Sequence, residues 1–503
     1  MNFIMVSLII LITAFLGFTL QVWPRFFNRY FGIDTWRHLD IADYIRKNGF
    51  PERMPSKYLI DGPFDYPPLF LWLLSKFSGD FLKRYEWLFS PALNVLNSLL
   101  VLGITFFLTG NFWGGLMAMA LFMLTPIIAL EASQLSTRPI GVLLFNLVYF
   151  AVLYFSAAHS LSMFLISVVL LAVLLLTHKM PVQVLFFLFI FFSFLDKTFW
   201  YMAILLAGMI LATVVSKGYY IKIFKGHMAI LNFWRVNIKN RYAHQIRGLK
   251  EDKASPDPII KIQQLIRKIP VASVFGSNPW IVFILIALFF IKPQEWNYFG
   301  MNQCVFLKIL YTPLFLCAVS FVVKLIKPLG FLGEAERYLE YSALPAGIAA
   351  IYLLFAGTGN FYLLIFILLT ALVCIGSIIF LQRKIVLQDK ERTVTKELFN
   401  MFDYLNQLKG KEEIRLATLP LYLVAFTMYF VDGIKVLSTE SAVAHITGLS
   451  DYFPVLKKPL SEIFAGFGIN YCLVNEHYVG VSEINLPCME IVKREGHYTL
   501  IKV

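Results

Sequence analysis

FGIDTWRHLDIADYIRKNGFPERMPSKYLIDGPFDYPPLFL, running from Phe31 to Leu71, is the first long polar segment after an apolar N-terminus. It gathers acids, bases, a histidine and aromatics in a chain otherwise given over to hydrocarbon, and the rest of the molecule reads as the scaffold that holds it. Asp34 or Thr35 can cap a helix running to about Lys47 and ended by Asn48-Gly49. Its apolar positions Ile41, Tyr44 and Ile45 make a stripe suited to lying along a membrane surface. After the turn-rich stretch from Pro51 to Pro63, Pro67-Pro68 opens LFLWLLSKF, too short to span a bilayer and read as a second interfacial helix.

Outward from this stretch, composition decides the class. Hydrophobic residues make up 58% of the 503, aromatics 16% and charged residues 15%, against about a quarter charged in soluble domains. Apolar runs near the length of one bilayer crossing recur to about residue 381, which predicts an integral membrane protein. MNFIMVSLIILITAFLGFTLQVW has no basic n-region and no small-residue cleavage site, so it reads as a retained first span. Further spans are expected at about 87–109, 112–130, 139–157, 160–177, 181–195, 198–215, 279–292, 304–323, 341–357 and 361–381, giving eleven in all. An odd count puts loops 24–86, 131–138, 178–180, 216–278 and 324–340 on one face with the C-terminal tail.

The expected fold is therefore a polytopic α-helical membrane protein with about eleven transmembrane helices and a small C-terminal α/β soluble domain. Residues 1–390 form the transmembrane domain, including interfacial loop 24–86 and basic loop 216–278, and residues 391–503 form the tail domain. In the tail EIRLATLP, IKVLST and INYCLVN read as strands, PLSEIFAGFG as a helix, and CMEIVKREGHYTLIKV as a closing hairpin. No phosphate loop or dinucleotide fingerprint occurs there, so the tail reads as a binding or structural appendage.

The net charge is +13, which points to an anionic partner, either lipid headgroups or a phosphorylated substrate. DPIIKIQQLIRKIP, at 257–270, has isoleucines at helical spacing beside Lys261, Arg267 and Lys268. It reads either as a basic surface-lying helix or as a solvated linker. The five cysteines show no CxxC or Cys/His spacing for zinc.

GIDTWRHLDIADYIRKNG followed by DYPPLFLWLLS resembles the first external loop of the GT-C superfamily of membrane glycosyltransferases, which includes oligosaccharyltransferase catalytic subunits, protein mannosyltransferases and aminoarabinose transferases. Asp34-Thr35-Trp36 matches the loop opening of the oligosaccharyltransferase branch, and Pro67-Pro68-Leu69 the loop end of the mannosyltransferase-like branch. The resemblance implies transfer of a sugar from a polyprenyl-phosphate donor to an acceptor hydroxyl on a glycan, lipid or protein, and a single carboxylate acting as base favours inversion. It implies Asp34 as catalytic base, with Asp40 as the runner-up, and His38 and Tyr66 as supporting residues.

Arg337, Arg138 and Lys179 are the implied donor-phosphate cations, and Glu131, Glu334, Glu336 and Tyr338 the implied substrate-side residues. Arg138 reads equally as a snorkelling interface residue and Lys179 as a span-end anchor. Asp34 with Glu131 could hold Mg²⁺ or Mn²⁺, a thin site of two carboxylates. The active-site loops and tail would be extracytoplasmic, against the excess of Lys and Arg in the loops on that side. Oligosaccharyltransferase-type glycan transfer and a transporter or flippase of a lipid-linked anion are the rival readings. The tail carries no tryptophan, and so lacks the Trp-Trp-Asp element common in the first.

Overall fold

The computed structural model describes residues 3–241, 243–248, 269–291, 302–357, 361–438 and 448–503. The chain opens with helix α1 (Phe3–Phe27), α2 (Ile33–Asn48) and the single turn and a half of α3 (Leu69–Leu74). Then follow α4 (Gly79–Thr109), α5 (Phe112–Met123), α6 (Pro126–Glu131), α7 (Arg138–Ala158), α8 (Leu161–Leu175), α9 (Lys179–Asp196), α10 (Trp200–Val215) and α11 (Tyr219–Val236). Helices α12 (Pro270–Ser277), α13 (Trp280–Phe290), α14 (Gln303–Leu325), α15 (Ala343–Ala356) and α16 (Phe361–Gln382) complete the apolar part.

The expectation of eleven spans does not hold. Six helices among the described residues are long and apolar enough to cross a membrane, namely α1, α4, α7, α9, α14 and α16, the last prolonged to Gln388; α12 with α13 makes a seventh if that pair, bent by 93°, is one span. The protein is a multi-pass membrane protein with fewer crossings than its apolar runs suggest. Helices α5, α8, α10 and α15 have 12, 15, 16 and 14 residues, which at 1.5 Å per residue leaves each well short of a hydrocarbon core about 30 Å thick. Apolar sequence runs on where the helix stops: 112–130 is split at Leu124–Thr125 ahead of Pro126, and 279–292 is the second arm of the bent pair, beginning at Pro279. Six spans make the count even, and seven keep it odd but change which loops follow odd-numbered spans, so the argument that put every polar loop on one face loses its basis.

The chain divides into two compact units: Met1–Arg29 with Trp87–Tyr220 and Pro258–Gln388, and Tyr30–Glu86 with Ile221–Asp257 and Asp389–Val503. The first, the bundle unit, is cross-braced by polar groups inside its apolar core. Arg25, fully buried at the end of α1, donates to the carbonyls of Ser133 (2.7 Å), Arg29 (2.8 Å) and Asn28 (3.1 Å). The Trp280 indole donates to Leu121 O and Thr125 Oγ1, both at 2.9 Å. Each such bond spares a buried donor the cost of going unpaired.

The second, the sheet unit, is built on five strands: β1 (Arg415–Leu419), β2 (Lys435–Val436), β3 (Tyr471–Asn475), β4 (Glu490–Glu495) and β5 (Tyr498–Lys502), in the order β2-β1-β3-β5-β4. β1 runs parallel to β2 and β3, while β5 is antiparallel to β3 and β4. Helices α17 (Lys396–Leu408), α18 (Leu423–Phe430) and α19 (Leu460–Phe467) complete it. The strands, the α19 helix and the closing hairpin fall where the sequence places them. β3 is buried at every position, as expected of a strand covered on both faces.

The loop between α2 and α3 belongs to this sheet. Tyr58 bridges to Val436, with Leu59 N donating to Val436 O (2.9 Å) and Val436 N to Lys57 O (2.8 Å). Helix α2 is likewise bound inward: Trp36 is buried beside Tyr30, Tyr429 and Phe430. Ile41 and Ile45 are buried too, so the stripe expected to lie on a membrane packs into protein instead. The basic stretch expected as a surface helix at 257–270 lies, but for its last two residues, outside the described residues. Among the described residues, sequence reasoning missed helix α11, in a stretch read as loop, and the tail helices α17 and α18.

Candidate active site

Gly32 sets the direction of α2. Its φ of 104° is open to glycine and strained for other residues, and its amide donates to Arg392 O (2.8 Å), tying the helix start to the tail. Gly32 is the N-cap, with no side-chain cap bond, so neither Asp34 nor Thr35 caps the helix. Asp34 instead lies in the first turn, where the helix dipole favours a negative charge. Its Oδ1 is 3.2 Å from Arg37 Nη2, and the two side chains are 32% and 15% exposed. The Arg37 guanidinium lies 5.7 Å from the centre of the Tyr66 ring, and the Tyr66 hydroxyl is 3.0 Å from Nε2 of the buried His38. Four polar side chains thus run in contact from Asp34 through Arg37 and Tyr66 to His38. The DYPPL element supplies Tyr66, and Phe70 on α3 closes edge-on against the imidazole.

Asp40 has a different task. It is buried against the Lys57 ammonium, and burial raises its carboxyl above the ordinary range while Lys57 pulls it back. The pair pins the sheet-bound loop to α2. Asp43 is held by Arg46 (2.9 Å) and Lys47 (2.7 Å) on the same helix.

A second polar cluster belongs to the bundle unit. Glu131 ends α6 and Arg138 begins α7, and the two are ion-paired, Arg138 being buried. Glu340, at the end of the 3₁₀ turn Ala335–Glu340, is fully buried and feels both Arg138 and Arg337 as attractive charges and Glu131 as a repulsive one. Burial is the largest influence and raises its carboxyl. Glu340 was legible only as one acid among several ahead of an apolar helix.

The other expected residues of this loop are engaged locally. Arg337 Nε lies 2.7 Å from Glu334 Oε2 at the surface, and Glu336 pairs with Lys324. Tyr338 is buried, with Gln183 donating to its hydroxyl, which itself donates to Leu332 O (3.2 Å). Lys179 is the first residue of α9.

The structure therefore gathers Asp34, His38 and Tyr66 in the sheet unit, joined by Arg37, and Glu131 with Arg138 in the bundle unit, joined by Glu340. Asp34 and Glu131, the carboxylates suggested for a metal, fall in different units and each is ion-paired to an arginine. Among the described residues no three His, Cys, Asp or Glu side chains gather as a metal cage would require.

No family model matches the chain and no curated protein matches it in sequence. Its fold is similar to that of the oligosaccharyltransferase of Archaeoglobus fulgidus in complex with Zn and sulfate, with a TM-score of 0.58 and 13% identity over 93% of this chain and 68% of that one. The apo form of that protein gives 0.55 and 12% over 93% and 69%. ArnT from Cupriavidus metallidurans in the apo state aligns over 99% of this chain and 97% of its own, at 11% identity and a TM-score of 0.41. At this identity the likeness is one of fold: the chain is built like that oligosaccharyltransferase, in line with the resemblance read from Asp34-Thr35-Trp36.

Proposed function

We propose that the protein is a membrane glycosyltransferase that moves a sugar from a polyprenyl-phosphate donor to an acceptor hydroxyl. The observation that carries this reading is the placement of Asp34. It is freed from capping by Gly32, partly exposed, and held by Arg37 beside a Tyr66–His38 pair in a chain with a glycosyltransferase fold.

In the proposed step the acceptor oxygen attacks the anomeric carbon and its proton passes to Asp34. The bond from that carbon to the phosphate oxygen breaks, and polyprenyl phosphate leaves with the bonding electrons. Arg337, Arg138 and Lys179 are the cations proposed to stabilise the charge growing on the phosphate. One carboxylate acting as base, with no second as nucleophile, favours inversion. Asp34 and the tail are proposed to be extracytoplasmic, with residues 1–390 as the catalytic domain and 391–503 as its appendage.

Transfer of a whole glycan to protein is the second reading, favoured by the fold likeness to an oligosaccharyltransferase. Single-sugar transfer is preferred because the tail has no tryptophan. The test is transfer by purified protein in vesicles supplied with a panel of polyprenyl-phosphate sugars, comparing wild type with Asp34→Asn. Turnover by the wild type alone supports the proposal, and equal turnover by both removes Asp34 from the mechanism.

A further inference from the structure

Helix α11 has two unlike faces. Tyr220, Ile223, Gly226 and Asn237 are buried, and Phe233 and Trp234 both pack on Phe453 of the tail. A Cβ added at Gly226 would collide with the Asp65 carboxylate, 2.8 Å from its Cγ. The helix backbone is thus seated against the residue that precedes Tyr66.

The outer face is not the polar surface that a soluble protein would present. Ile221, Phe224, Met228 and Val236 stand 46%, 42%, 49% and 71% exposed. At 100° per residue these side chains share one arc with Lys222, Lys225 and Arg235, which are exposed as well. From Lys197 through Lys250, both included, the sequence carries nine Lys and Arg and no Asp or Glu.

We infer that the outer face of α11 docks on an anionic lipid surface. Apolar side chains at one-turn spacing enter the boundary between headgroups and acyl chains, while lysine and arginine stems extend outward to lipid phosphates. An acid-free stretch of this length is complementary to anionic headgroups and carries no negative charge to oppose them. Because the inner face rests on Asp65 and the tail, lipid contact on the outer face would hold the Tyr66 side of the opening loop against the sheet unit.

The experiment uses the full chain with exposed Cys304 and Cys488 replaced by serine, and a bimane fluorophore on Asn232→Cys, at the middle of the outer arc. The protein is reconstituted at high lipid excess in phosphatidylcholine vesicles with or without phosphatidylglycerol, each made with and without brominated acyl chains. Brominated lipid is expected to quench the label about twofold more when phosphatidylglycerol is present, and Lys222→Gln/Lys225→Gln/Arg235→Gln is expected to abolish that difference. Quenching by aqueous iodide alone, whatever the lipid, overturns the inference. So does protection from iodide that disappears as protein is diluted into lipid, which would assign the face to a second copy of the chain.

Discussion

The two polar clusters use the same residue types in opposite ways. In the sheet unit the Asp34–Arg37 pair is partly open to water, joins side chains one turn apart on one helix, and contributes no more than about 1 kcal/mol to stability. In the bundle unit Arg138 is buried between Glu131 and Glu340, brought together from α6, α7 and the turn before α15. There charges have left water and depend on one another. Asp34 is held where it can meet a substrate without bracing the fold, whereas Arg138, whatever it does for a donor phosphate, is tied into the bundle, so variants of the two should part company in stability.

The largest effect is expected at Asp34. Asp34→Asn should lower turnover by about 10²- to 10⁴-fold, the usual worth of a positioned base, while the thermal unfolding midpoint stays near that of the wild type. A loss of activity accompanied by an equal loss of folded protein would erase the contrast. At Arg138 the expectation reverses. Arg138→Met leaves Glu131 and Glu340 without their shared cation and should destabilise the protein by about 3–5 kcal/mol, read as a lowered unfolding midpoint in detergent. Unchanged stability would show that the bundle cluster is as dispensable to the fold as the surface pair.

How far each cluster could be read in the sequence follows from the same distinction. Asp34, Arg37 and His38 are neighbours on one helix, and Tyr66 belongs to the adjoining DYPPL element, so that site was legible as a stretch. The tail strands were legible for the same reason, since alternation and turn residues are local. Glu340 owes its character to burial beside residues two hundred positions away, and nothing in ERYLEYSAL reports that. Ile41 and Ile45 were misplaced because an apolar stripe fits a membrane surface as well as it fits α18. The span count failed because hydropathy registers the apolar runs but not the breaks before Pro126 and Pro279. Helix α11 escaped because Lys222, Lys225 and Gly226 interrupt its apolar pattern, although they follow helical geometry once the inner and outer faces are separated.

Proton linkage sharpens the comparison at Glu340. Burial raises its carboxyl from 4.5 to about 7, so the folded protein holds this proton more tightly than the unfolded chain does. The resulting stability is fully present below pH 4.5 and is lost as pH rises through about 7. The unfolding midpoint of the wild type should therefore carry a decline across this interval that Glu340→Gln lacks, the amide standing in for the protonated acid. An identical pH profile for both proteins would remove Glu340 as the source.

The smallest effect on stability, and the finest test of the contrast, is expected at Arg337. Its bond to Glu334 lies at the surface, the two side chains being 36% and 48% exposed, so Arg337→Gln should shift stability by less than about 1 kcal/mol. As a proposed phosphate ligand it should still be felt by the donor: losing one hydrogen bond to a charged group costs about 1.5–3 kcal/mol, equivalent to a rise of about 10- to 100-fold in the donor KM. Arg337→Lys keeps the charge but not the planar fork, and should recover part of that loss. A KM unmoved by either substitution would make Arg337 a solvated partner of Glu334 and leave Arg138 and Lys179 as the proposed phosphate cations. In that case a buried arginine would serve both stability and catalysis.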